Sequence, residues 1–165
     1  MTEAAIGLGS NLGDRRLNLE TALRELQKTG GIDLTSISSI YETAPWGETD
    51  QPAFLNACAL LETELTPQLL LERCLAIEAG MGRIRARRWG PRLIDLDVLL
   101  HGVSNVKTST LTLPHPEIQN RAFVLAPLAE LAPDFILAGS TIVEHLAHTN
   151  LEGVVRIPVA LELAS

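Results

Sequence analysis

Two aspartates, Asp95 and Asp97, stand two residues apart in an apolar alternation, and a run of arginines leads directly into them. The run reads Arg83-Ile84-Arg85-Ala86-Arg87-Arg88-Trp89-Gly90-Pro91-Arg92. Five of the eleven arginines therefore fall within ten residues of a chain whose formal net charge is −7. Guanidinium groups grip phosphate oxygens through a planar fork of donors. Paired carboxylates hold hard cations such as Mg²⁺, which keep their remaining positions for water and substrate phosphates. The combination points to a loop that binds a polyphosphate, running into a strand that holds its metal ions. Each half alone reads more blandly, as the solvated face of an edge strand or as a salt-bridged surface. Their direct succession, with Trp-Gly-Pro between, is what argues for a site.

The strand itself follows from the alternation of Ile94, Leu96, Val98 and Leu100 with Asp95, Asp97 and Leu99. Residues i and i+2 of a strand point to one face, so the two carboxylates share a side, with Cα atoms roughly 6.6 Å apart. Two metals roughly 3.5–4 Å apart could then clamp both oxygens of an in-line phosphoryl displacement.

Upstream, residues 3–9 read as a first strand and Ser10-Asn11-Leu12-Gly13 as a turn. Asp14 is placed to cap a helix over about 15–28, with Leu19, Leu23 and Leu26 at helical spacing. Gly7-x-Gly9-x-x-x-Gly13 is not the dinucleotide fingerprint, whose third glycine comes one residue earlier, and no P-loop pattern occurs. The glycines read instead as tight-turn residues near a ligand. Residues 32–43 predict a second strand. The segment from Thr43 to Pro52 is bounded by prolines and carries Trp46, a composition common in functional loops, although Trp46 would equally cover a core edge.

Residues 53–64 predict a third strand, with Phe54, Asn56, Cys58 and Leu60 on one face. An amide beside an aromatic ring there could read the polar edge of a planar heterocycle. Thr66-Pro67 starts a second helix that runs to about Gly80. Glu78 in its last turn opposes the helix dipole, which predicts a cationic partner. After the Asp strand come a short hairpin around Val106 and Leu111, and then Leu113-Pro114-His115-Pro116, which presents His115 with little backbone freedom. A helical region from Asn120 to Leu131, broken at Pro127, and a last helix capped by Thr141 and Glu144 and running to about Thr149 complete the set. His145 and His148 read as ordinary packing or surface residues, and residues 150–165 carry no signal. The order βαββαβ predicts an α+β fold, a ferredoxin-like split βαβ sandwich whose antiparallel sheet has helices on one face.

At 165 residues with 46% apolar and 20% charged residues, the chain is expected to form a single globular domain over 1–165. It lacks an apolar run of 18 residues and a signal-like N-terminus, which predicts a cytoplasmic protein. Cys58 and Cys74 fall on a strand and a helix, and are expected to be buried thiols in a reducing compartment. Net acidity argues against a nucleic-acid partner.

Four stretches together carry a resemblance. Arg83 to Asp97, Leu8-Gly9-Ser10-Asn11-Leu12, Gln51-Pro52-Ala53-Phe54-Leu55-Asn56-Ala57 and Leu113-Pro114-His115-Pro116 resemble, in order and at matching spacing, the 6-hydroxymethyl-7,8-dihydropterin pyrophosphokinases of folate biosynthesis. The resemblance covers essentially the whole chain. It implies transfer of a pyrophosphoryl group from ATP to the pterin hydroxymethyl oxygen, leaving AMP, with two Mg²⁺ ions. By position it makes Asp95 and Asp97 the metal ligands and Arg83 and Arg92 the main phosphate contacts. Arg85, Arg88, Trp89, Thr112, His115, Arg121 and Glu78 fall on the ATP side, Glu78 as an adenosine-side or supporting residue. Phe54 and Phe123 would sandwich the pterin while Asn56 and the backbone near Thr43, Ala44 and Trp46 read its edge. Four of the six aromatic residues thus fall in one implied site. Two departures stand out: Ala44 where a proline is often found, and Thr110 where some members carry a basic residue. The small-molecule substrates are then the partners, with no membrane and no nucleic acid, and the protein is expected to be a monomer. The rival readings are a ferredoxin-like module that binds a nucleotide or RNA without catalysis, and a kinase that transfers only the γ-phosphate and leaves ADP.

Overall fold

The computed structural model describes residues 1–44, 52–82 and 93–161. In chain order the described elements are β1 (Thr2–Ser10), α1 (Arg15–Lys28), β2 (Ile32–Ile37), β3 (Ile40–Thr43), β4 (Phe54–Thr63), α2 (Pro67–Gly80) and β5 (Asp95–His101). There follow β6 (Val106–Lys107), β7 (Thr112–Leu113), a 3₁₀ turn (Ile118–Asn120), α3 (Ala122–Leu131), β8 (Ile136–Leu137), β9 (Ser140–Thr141), α4 (Ile142–Ala147) and β10 (Val154–Ile157). The main sheet runs β10-β3-β4-β1-β5, with β2 also paired to β4. Its pairs are antiparallel throughout. β1 and β4 form its spine, in register from Thr2↔Thr63 to Ser10↔Leu55.

Period-2 patterning in these central strands is apolar on both sides, and each side is covered. On one, Ile6, Leu8 and Leu61 pack with Leu19, Leu23 and Leu26 of α1 and Leu70 of α2. Both helices start as their cap residues predict. The Asp14 carboxylate accepts from the Leu17 N–H at 3.1 Å, and the Thr66 hydroxyl from the Leu69 N–H at 3.2 Å, each satisfying one orphan donor. On the other side, Ala5, Cys58 and Leu99 pack with Leu125 and Leu128 of α3, Ile118 and Ile142. Fully burying each such leucine or isoleucine contributes about 1.5–3 kcal/mol.

The expectation of helices on one face is corrected by this second layer. α3 is apolar enough to cover the face that α1 and α2 leave, and its position is what gives the site a wall. The break expected at Pro127 does not occur. α3 continues through Pro127, with Leu125, Ala126, Pro127 and Leu128 all buried, so packing outweighs the roughly 3 kcal/mol that an interior proline costs. The single strand expected over 32–43 is divided at Ser38-Ser39, where the Ser38 N–H donates to the Cys58 carbonyl and the Cys58 N–H to the Ser38 hydroxyl. The final stretch, silent in sequence, contributes the edge strand β10 beside β3. The capping box is present as read, and α4 ends at Ala147 rather than near Thr149.

Cys58 and Cys74 are free and lie in the cores on opposite faces of the sheet. Burial pushes the Cys74 thiol up to about 12, and burial likewise raises Cys58. Among the described residues no helix is long and apolar enough to cross a membrane.

Candidate active site

The register of the sheet assembles the site. One rung crosses five strands: Arg156 on β10, Tyr41 on β3, Asn56 on β4, Gly9 on β1 and Asp95 on β5. Beside it runs a shorter rung, Cys58, Gly7 and Asp97. Cross-strand partners point to one face, so Asn56, Asp95 and Asp97 rise from the α3 side of the sheet. Between them stand two glycines with no side chain at all. Neighbouring strands lie about 4.8 Å apart, so the Asn56 and Asp95 backbones flank a trough roughly two strands wide whose floor is bare main chain.

That floor corrects the reading of Gly7 and Gly9 as turn residues. They are strand residues in ordinary extended backbone; Gly13, at φ 68°, is the turn glycine. What Gly9 supplies is space. A Cβ there would sit 3.1 Å from the Asn56 Oδ1 and 3.6 Å from a Phe54 ring carbon. Gly9→Ala should therefore displace the Asn56 amide by a few tenths of an ångström and fill the trough. The expected result is about a tenfold or larger loss of affinity for a planar ligand, with a small change in thermal stability; unchanged ligand affinity in a titration would exclude the trough as a binding floor.

Asn56 is buried, and its Nδ2 donates to the Thr43 hydroxyl at 2.9 Å. The bond orients the amide so that Oδ1 faces the space above Gly9. Thr43 pairs with Phe54 one rung further along. An acceptor, a hydroxyl and a half-buried ring are thus presented together, as a flat ligand with a polar edge requires. α3 packs over β4 on this same face and brings Arg121 and Phe123 at its start, the guanidinium 5.9 Å from the ring centroid. Ala44 is exposed at the end of β3.

The acidic side differs. Asp95 is half-buried and Asp97 exposed, both on β5, the edge strand of the sheet. Two carboxylates on one face form an all-oxygen donor set that a hard cation fits while it keeps water or ligand oxygens. His115 approaches from the segment after the cis Leu113-Pro114 bond. Its N–H donates to the Leu99 carbonyl at 2.9 Å, and its Nδ1 accepts from the Glu117 N–H at 3.1 Å. That leaves Nε2 as the protonated, donating nitrogen of the neutral ring. Burial first, then the Arg121 charge, lower the His115 pKa against the opposing pull of Asp97 and Glu117. The ring is therefore neutral at pH 7. Thr112 is half-buried on β7, paired with Lys107.

Glu78 lies on the opposite face of the sheet. It is 3% exposed, and its carboxylate accepts from the Leu96 N–H at 2.7 Å, between the two aspartates. It thus anchors the strand that carries them, and charge-assisted bonds of this kind are among the strong ones. Among the described residues, the Leu96 amide is one partner of this carboxylate. Trp46, Arg83, Arg85, Arg88, Trp89 and Arg92 lie outside the described residues. Two features escaped the sequence reading. The Tyr41 hydroxyl and the Ser39 N–H both bond to Glu130 of α3, tying that helix to β3. Arg15 reaches from α1 to the start of β4. Neither pairing has a periodicity to reveal it.

The family model described as 7,8-dihydro-6-hydroxymethylpterin-pyrophosphokinase (HPPK) matches residues 5–133. The chain belongs to this family. A 2-amino-4-hydroxy-6-hydroxymethyldihydropteridine pyrophosphokinase of Methylorubrum extorquens is 51% identical over 157 residues, covering 95% of this chain and 99% of its own. The Pseudomonas aeruginosa protein of the same name is 44% identical over 156 residues, covering 94% and 96%. Among solved structures, wild-type Plasmodium falciparum HPPK-DHPS with SDX-DHP superposes with a TM-score of 0.72 at 18% identity, over 96% of this chain and 48% of that one. This chain thus spans about half the length of that solved chain. At such identity the superposition speaks for the fold alone, and the fold is that of the HPPK domain: α+β, with helices on an antiparallel sheet.

Proposed function

We propose that this chain performs the reaction of its family, moving the pyrophosphoryl group of ATP to the hydroxymethyl oxygen of 6-hydroxymethyl-7,8-dihydropterin. The hydroxymethyl oxygen attacks the β-phosphorus and loses its proton. The bond from that phosphorus to the α–β bridging oxygen breaks, and AMP departs. The single observation that carries the reading is the rung Asn56, Gly9, Asp95. It sets the Asn56 amide and the Asp95 carboxylate on either side of a bare floor, which supports a planar ligand on one side and a cation on the other.

On this reading the pterin lies over Gly9, its polar edge on Asn56 and Thr43 and its faces against Phe54 and Phe123; Trp46 and the main chain near Ala44 complete the edge. The triphosphate lies along β5. Mg²⁺, held by Asp95 and Asp97, would supply neutralisation of the phosphate charge, which is the main requirement of phosphoryl transfer. Arg83, Arg92, Arg85 and Arg88 add fixed positive charge to the same oxygens, and Trp89 travels with them. His115 donates from Nε2, and Thr112 and Arg121 bind on the nucleotide side. Glu78 positions β5 from behind. Asp95 or Asp97 orients the hydroxymethyl group.

Identifying the nucleotide product tests this. Incubation with ATP, Mg²⁺ and the pterin should yield AMP, and only when the pterin is present. ADP would replace the proposal with γ-phosphoryl transfer. Tight ATP binding without turnover would favour a binding module.

A further inference from the structure

Arg15 stands in the first position of α1, and its neighbour is Arg16, with no acidic residue in that first turn. Positive charge at a helix N-terminus opposes the macrodipole, so the location calls for a compensating contact. Arg15 finds two. One guanidinium nitrogen, Nη1, donates to the Glu42 carboxylate at 2.8 Å and to the Ala53 carbonyl at 2.7 Å. These partners stand at the ends of different strands. Glu42 precedes Thr43 at the end of β3, and Ala53 precedes Phe54 at the start of β4.

The β3–β4 ladder stops at the pair Thr43↔Phe54, so Ala53 lies beyond the last rung. Ladder ends fray unless something else takes their hydrogen bonds. Here the β1–α1 turn does so. Arg15 takes the Ala53 carbonyl, and the buried Asn11 amide donates to the Pro52 carbonyl at 3.2 Å. The turn is itself braced, since Asn18 donates to the Ser10 hydroxyl at 3.1 Å and to the Leu12 carbonyl at 2.7 Å. Holding the Ala53 carbonyl fixes the peptide plane that leads into Phe54, while holding Glu42 fixes the residue before Thr43.

We infer that Arg15 is a positioning residue for the pterin. Its guanidinium clasps the ends of β3 and β4 and so sets the Phe54 ring and the Thr43 hydroxyl relative to each other. It touches no substrate and lies on the far side of the sheet from the trough, because Glu42 alternates with Tyr41 and Thr43. The inference rests on the pterin reading above.

Its test separates the two. Steady-state constants for pterin and ATP are measured for the unaltered chain and for Arg15→Ala, Arg15→Lys, Glu42→Ala and the double Arg15→Ala/Glu42→Ala. Arg15→Ala should raise the pterin KM about tenfold, the size of a lost hydrogen bond to a charged group, with kcat and the ATP KM within about twofold of the parent. Arg15→Lys should restore most of the loss. The double variant should resemble Arg15→Ala, because partners in one contact are not additive. Equal pterin KM in parent and Arg15→Ala would overturn the clasp and leave the pterin reading standing. So would parallel losses in both substrates with a lowered Tm, which mark a general structural role. An unaltered chain that makes no AMP with the pterin would overturn both.

Discussion

Asp97→Ala is expected to lower turnover on the order of 10³-fold or more while leaving the fold intact. Metal-assisted stabilisation of transferring phosphate is worth several kcal/mol, and each 1.36 kcal/mol is tenfold in rate. Asp97 is exposed on the face of β5 away from α1 and α2, and its β1 neighbour is Gly7, which has no side chain to repack. Its removal therefore opens no cavity, and stability should stay within about 0.5 kcal/mol. The carboxylate also pulls the His115 pKa upward, so its loss should deepen the neutrality of that ring rather than reverse it. Single-turnover kinetics with ATP and Mg²⁺, paired with thermal melting, would decide the matter. Near-normal rates would remove Asp97 from the proposed metal ligands, and a collapsed melting temperature would reassign it to the fold.

Leu99→Ala should act through the opposite balance, destabilising the protein strongly with an indirect cost to nucleotide binding. Leu99 is 1% exposed and is the extra residue of β5 at the irregularity where β1 shifts from Ala5 to Ile6. Its side chain occupies the room beside Gly7, with methyl carbons 3.4 and 3.5 Å from where a Cβ would be. Truncation leaves a cavity that a glycine strand cannot fill, at a cost of about 2–5 kcal/mol. For a chain of this size that is a fall in Tm of about 5–15 °C. The Leu99 carbonyl also receives the His115 N–H, so slack in this strand reaches the histidine. The ATP KM should rise several-fold, measured at a temperature where the variant is folded. Leu99→Ile should cost less than about 1.5 kcal/mol. A melting temperature within a degree of the parent for Leu99→Ala would mean that the bulge does not rely on this side chain.

The interior alternation of β4 and β5 and the caps of α1, α2 and α4 were legible because each follows from residues a few positions apart. Asp14 and Thr66 cap the helices they precede, and Thr141 with Glu144 closes its box. Asp95 and Asp97 share a face for the same local reason, period 2. Pairing across the sheet has no local signature. That Asn56 and Asp95 flank the same glycine depends on β1 lying between two strands separated from each other by a helix. The role of Gly9 as a floor, and the departure of Gly7 and Gly9 from the turn expected of them, follow from that neighbourhood alone. Likewise α3 on the second face, β10 on the edge and Glu78 behind β5 are outcomes of burial. A weakly patterned segment goes where the remaining apolar surface is. What the sequence determined by itself was the chemistry, two carboxylates after an arginine run and an amide beside a ring. Only the tertiary structure decided that the Asn56 amide and the Asp95 carboxylate flank one glycine, because a register is set by the packing of whole strands and by no residue singly.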